Sequence, residues 1–176
     1  MVHSAAVLVA EYPCIGFSGA RKPAPASLAA LQWLSRHVPP STAVMVGCAA
    51  GIDQAVRSAF PTAQVFEASS FGTGRGSFAA RSIACVRSVA AHNGLWVSFP
   101  AAPCPAGLLP SAKSSKAFCG KGSGSWASLA FAAGSGLPCL VYLPPGVSAP
   151  AGWGLQPIDD DWLQHQPPGD QLSLFV

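Results

Sequence analysis

Acidic residues are scarce in this chain, with seven Asp and Glu against ten Lys and Arg among 176 residues. Every Lys and Arg lies between Arg21 and Lys121, and over that span only Asp53 and Glu67 are acidic. Residues 13–150 therefore hold a surplus of eight positive charges, although the whole chain carries only +3. Such a body suits a phosphate-rich ligand, a nucleotide or a nucleic acid. Solubility charge on a chain with few ionised groups is the plainer alternative. Long apolar runs are also missing. "SAAVLVA" and "LPCLVYLPP" break well short of the ~20 residues that cross a bilayer, so no membrane partner is expected. No Lys or Arg precedes the first apolar run, which argues against a secretory signal and for a cytoplasmic protein.

Paired cysteines are absent as well. Cys14, Cys48, Cys85, Cys104, Cys119 and Cys139 are widely spaced with no CxxC, a pattern that speaks against zinc. Cys14, Cys48 and Cys139 fall in strand windows, where cysteine acts as a small hydrophobe, and a cytoplasmic setting keeps thiols reduced. His3, His37, His92 and His165 are scattered, and no cofactor is implied.

What the chain does contain is alternation. Apolar runs ("AAVLVA", "CIGFSG", "TAVMVG", "AQVFEA", "LWVSFP", "LPCLVYLPP") alternate with Ala-rich windows of helical spacing. This is the signature of an α/β protein with a mainly parallel sheet. Leu28, Leu31 and Leu34 mark one helix, Pro61 ends a second and Asn93-Gly94 closes a third. A last helix opens in "GSGSWASLAF" and closes at Gly134 or Gly136. Residues 101–120 read as irregular. From Pro144 onward Pro, Gly and acidic residues dominate, so we expect a domain over 1–146, a linker over 147–170 and a terminal peptide over 171–176. Self-association stays open.

Three strand-to-helix junctions carry small residues: "GFSGARK" (16–22), "GCAAGID" (47–53) and "GKGSGSW" (120–126). In an open parallel sheet such junctions share one edge, where ligands bind. Their backbone N–H groups approach an anion closely, and each following helix turns its positive end toward it. Arg21, Arg81, Lys116 and Lys121 could add charge there. Asp53 either caps backbone N–H groups or holds a ligand hydroxyl. Among the tryptophans, Trp33 and Trp96 read as core, whereas Trp126 could equally be core or stack on a base.

In serial order, "GFSGARK", "GCAAGIDQAV", "FAARSIACVRSVA" and "GSGSWASLAFAAGSGLPCLVYLPPG" resemble the SLOG superfamily over roughly residues 13–146. That superfamily includes the Rossmann domain of DNA-processing protein A (DprA/Smf), YspA-like proteins and the Lonely Guy phosphoribohydrolases. The resemblance implies a Rossmann-like open, mainly parallel sheet flanked by helices that binds nucleotides, nucleotide derivatives or single-stranded DNA. It places Ser18, Gly19 and Arg21 in the first loop, and Gly47, Gly51 and Asp53 in the second. Arg81 matches the family arginine, and Lys121, Gly122, Ser123, Gly124 and Ser125 fall in the last anion loop. One departure matters. Ser128 stands where the phosphoribohydrolases carry their glutamate, and a hydroxyl of ordinary pKa is no substitute for a carboxylate base. The reading therefore leans away from an enzyme.

The chain ends in "QLSLFV" behind the breaker "PPGD". Gln171, Leu172, Ser173, Leu174 and Phe175 resemble the pentapeptide by which bacterial replication and repair proteins dock on the β sliding clamp of DNA polymerase III. An extended peptide of this kind offers a polar Gln and two large apolar anchors. The alternative is an apolar plug returning to the protein's own surface. Taken together, these features lead us to expect a DprA-like nucleotide- or single-stranded-DNA-binding protein that works at the clamp in replication, recombination or repair. A nucleotide-derivative sensor, a phosphoribohydrolase-like enzyme and a pure adaptor are the competitors.

Overall fold

The computed structural model describes residues 4–120, 122–159 and 161–168. Lys121 and the terminal pentapeptide lie outside the described residues. The chain opens with α1 (Ala5–Glu11), β1 (Cys14–Gly19), α2 (Pro25–Ser35), β2 (Ala43–Gly47), α3 (Ile52–Ala59) and β3 (Gln64–Phe66). A 3-10 turn (Ala68–Phe71) leads into α4 (Arg75–Ala91) and β4 (Leu95–Phe99), followed by α5 (Ser114–Ala117), α6 (Gly124–Gly134) and β5 (Cys139–Tyr142). Two short strands, β6 (Gln156–Pro157) and β7 (Trp162–His165), complete the sheet. The strand order is β3-β2-β1-β4-β5-β7-β6. β1 to β5 run parallel, and β7 is antiparallel to β5. This is the Rossmann-like open sheet anticipated from the alternation of runs.

Side chains alternate across each strand, so each face of the sheet builds its own core. Ile15, Phe17, Val44, Val46, Leu95 and Val97 pack with Leu31, Leu34, Ile52 and Val56 on one side. Cys14, Met45, Trp96, Cys139 and Val141 pack with Cys85, Val89, Leu129 and Phe131 on the other. Chain order reverses at β1. The chain adds β2 and β3 on one flank, then crosses through α4 to add β4 on the other. The crevice between β1 and β4, outside their carboxyl ends, is the topological switch point where sheets of this kind bind ligands.

Several expectations need correction. "AAVLVA" is helix α1, because Ser4 accepts the Val7 N–H at 3.3 Å and Ala5, Leu8 and Val9 bury one face at helical spacing. Cys48 falls one residue beyond β2 and is half-buried. Pairing continues well past residue 146 into the expected linker. Trp162 sits opposite Tyr142 and His165 opposite Cys139, so β7 closes that flank of the sheet. Trp153 is buried, meets Trp126 edge-on at 5.3 Å and donates its Nε1–H to the Leu108 carbonyl at 2.9 Å. Two indoles of this size bury enough apolar surface to hold a Pro/Gly-rich segment in place. Asp159, inside the expected linker, is fixed to the domain as well. The Asp159 carboxylate accepts the Ala5 N–H at 2.6 Å, at the positive end of α1 rather than on a basic side chain.

Candidate functional site

The second junction shows how tightly the switch point is built. β2 ends at Gly47, and a Cβ there would lie 1.3 Å from Arg81 Nη1. The guanidinium rests directly on the glycine backbone, so a larger residue there would have to displace Arg81 from its place. Gly51 has φ 74°, starts α3 and lies against the Ala20 carbonyl, where a Cβ would be 2.3 Å away. The Ile52 N–H donates to that same carbonyl at 3.0 Å, so the first and second loops are stitched together. Arg57 Nη1 reaches back from α3 to the Gly47 and Ala49 carbonyls at 2.7 and 3.0 Å. The motifs did not reveal this role for Arg57.

Around this frame lies a cleft of about 60 Å³ at the carboxyl ends of β1 and β2. Ser18, Gly19 and Arg21 of the first loop line it, together with Gly47 and Asp53 of the second, Arg81 of α4, and Gly124 and Ser125 of α6. Eight of the residues read from the sequence thus converge. Gly51 acts from behind the wall, Gly122 packs toward Pro105, and the Ser123 hydroxyl pairs with that of Ser125. Lys116 is exposed on α5 and does not line the cleft. The structure adds Ala49, Ser82, Cys85, Trp96 and Ser128 to the walls. Cys85 could have been found from its spacing, since it lies four residues beyond Arg81 on the same helix.

The centre of the site is a buried ion pair. Arg81 Nη1 meets Asp53 Oδ2 at 3.1 Å, with the two side chains 10% and 5% exposed. The same carboxylate oxygen accepts the Ala49 N–H at 3.2 Å. Burial pushes the Asp53 carboxyl above its ordinary value. The Arg81 charge, the Ala49 hydrogen bond and the more distant Arg57 pull it back without cancelling the rise. Oδ2 of Asp53 is therefore engaged with the protein, while the residue still lines the cleft. Arg81 Nε is buried and has no partner among the described residues. Ser18 is occupied too, accepting from Trp96 Nε1 at 3.1 Å and donating to Ser98 Oγ at 3.2 Å. Burial raises the Cys85 thiol far above its ordinary value, which keeps it neutral and unreactive.

Chemically, the cleft suits an anion. α6 begins without a side-chain cap, so its first N–H groups are left to the solvent or a ligand, whereas the first N–H of α3 is already held by the Ala20 carbonyl. Arg21 adds an exposed charge at the rim. Ser128 donates to the Gly124 carbonyl at 2.9 Å, a bond within its own helix. Among the described residues no group of three His, Cys, Asp or Glu could hold a metal, and no helix is long and apolar enough to cross a membrane. The stacking role considered for Trp126 fails, because its ring is fully buried and its Nε1–H donates to the Ala102 carbonyl at 2.8 Å. Trp96 is core as expected. Trp33 is not, being 40% exposed on α2. It borders a wider groove of about 1060 Å³ beside Tyr142, Trp162, Asp159 and Asp161. That groove is larger, but its charge is of the wrong sign for an anion.

The chain matches no family model, no curated protein and no solved structure. The likeness to the SLOG superfamily rests on the loop sequences and their order alone.

Proposed function

We propose that this protein is a DprA-like binder of nucleotides or single-stranded DNA, recruited to the β sliding clamp of DNA polymerase III through Gln171–Phe175 and active in replication, recombination or repair. The observation that carries the reading is the convergence at the switch point. The start of α6, Arg81 and Arg21 surround one cleft on a body with eight surplus positive charges. β7 descends from Tyr142 to Cys139, and Pro167 lies beside Asn93, Gly94 and Pro138 at the amino edge of the sheet. Pro167 and the cleft therefore lie at opposite edges of the sheet.

Two measurements test this. A fluorescent oligothymidylate should bind with an affinity that falls steeply as salt rises, because released counterions drive the association. Removal of residues 171–176 should abolish clamp binding and leave the oligonucleotide affinity unchanged. Salt-independent binding of the strand, or clamp binding by the shortened chain, would reject the corresponding half. The Ser128 hydroxyl, bonded inside its own helix, gives no support to the hydrolase alternative.

A further inference from the structure

The cleft is too small to hold a base. Its volume of about 60 Å³ compares with roughly 300 Å³ or more for pockets that enclose organic ligands. A nucleotide whose phosphate sits at the cleft must place its base on the rim. One face of α4 shows where. Phe78, Arg81, Ser82 and Cys85 follow helical spacing, and the last three line the cleft. Phe78 stands one turn nearer the helix start and is 41% exposed. The Arg21 guanidinium, itself at the cleft wall, lies 4.9 Å from the centre of the Phe78 ring. Phe71, 39% exposed, opens the Gly-rich loop that leads to α4. Single exposed aromatics are ordinary. One that continues a cleft face with an arginine held against it is not.

We propose that Phe78 is a stacking platform for a nucleobase whose neighbouring phosphate is held by Arg21. The proposal rests on the nucleotide- or DNA-binding reading above and names the part of the surface that contacts the base. Stacking on an exposed ring is tolerant of base identity and strong enough to measure. Among the tryptophans considered for this role, Trp126 and Trp96 are sealed in the core and Trp33 is on another face.

The test compares the full chain with Phe78→Ala, Phe78→Leu and Phe78→Trp, using a 15-nucleotide oligothymidylate and an abasic strand of equal length. Wild type should prefer the base-bearing strand. Phe78→Ala and Phe78→Leu should lose roughly tenfold in affinity for it and almost nothing for the abasic strand, whereas Phe78→Trp should retain the preference. The salt slope should stay unchanged in all three, since no phosphate contact is removed. Competition by thymidine monophosphate as effective as that by the strand would assign the platform to free nucleotides. Weaker competition would assign it to DNA. If wild type binds neither strand nor nucleotide, the underlying reading falls and the platform with it. If wild type binds but both truncations match it, the platform alone is wrong.

Discussion

Replacing Arg81 by Ala should be the most damaging single change at the switch point. The substitution strands the Asp53 carboxylate at 4% exposure with the Ala49 N–H as its nearest remaining donor. Breaking a buried pair from one side costs about 3–5 kcal/mol. In a domain of this length that lowers Tm by roughly 6–20 °C, at about 2–4 °C per kcal/mol. The dependence on pH identifies the cause. Asp53 in the folded protein lies above its ordinary 3.8. A carboxyl raised in the native state favours folding when protonated. Its contribution is therefore full below 3.8 and is lost as pH climbs through the raised native value. Loss of Arg81 removes the strongest opposing influence and lifts that value further. The deficit of Arg81→Ala should then shrink as pH falls from 7 toward the carboxylate range. Adding Asp53→Asn should recover on the order of 1–2 kcal/mol, because a neutral amide needs only hydrogen bonds. Thermal and urea unfolding followed by circular dichroism at pH 7 and pH 5 measure each quantity. A Tm within a degree or two of wild type, or no recovery in the double variant, would refute the account of this pair.

Two further outcomes follow from the packing. Trp162→Ala removes an indole that meets Tyr142 at 5.2 Å and Phe99 at 5.6 Å, so it should cost about 3–5 kcal/mol and expose the amides of β7 to hydrogen exchange. Stability near wild type would mean that the hairpin is an appendage after all. Native-state thiol labelling near pH 8 should modify exposed Cys119 first and leave Cys85 and Cys139 untouched until unfolding, since burial both shields them and keeps them protonated. Rapid labelling of either buried thiol would contradict the packing around α4 and β5.

The central sheet was legible because strands buried on both faces read as near-continuous apolar runs, and the glycine-bearing junctions announced where the chain turned. The same rule misread "AAVLVA". Its Ala5, Leu8 and Val9 serve a helical face, and the hydroxyl that starts that helix comes from Ser4. The hairpin at the far flank was hidden for another reason. β7 has only four residues, and the surrounding Pro, Gly and Asp looked like spacer, while the tryptophans that hold it act through contacts distant in sequence. In the cleft, residue identity was readable but engagement was not. Nothing in "GFSG" or "GID" tells that Ser18 is claimed by Trp96 and Ser98, or Asp53 by Arg81, because those partners arrive from other strands and helices.

The acidic end of the hairpin has one more consequence. Asp161 acts on Tyr142 at the carboxyl end of β5, so negative potential borders the same rim of the sheet that carries the cleft. On the other flank Glu67, just past β3, and Arg75, at the head of α4, are both exposed. On the proposed nucleic-acid reading, a strand held at the cleft would be repelled from the β5 flank.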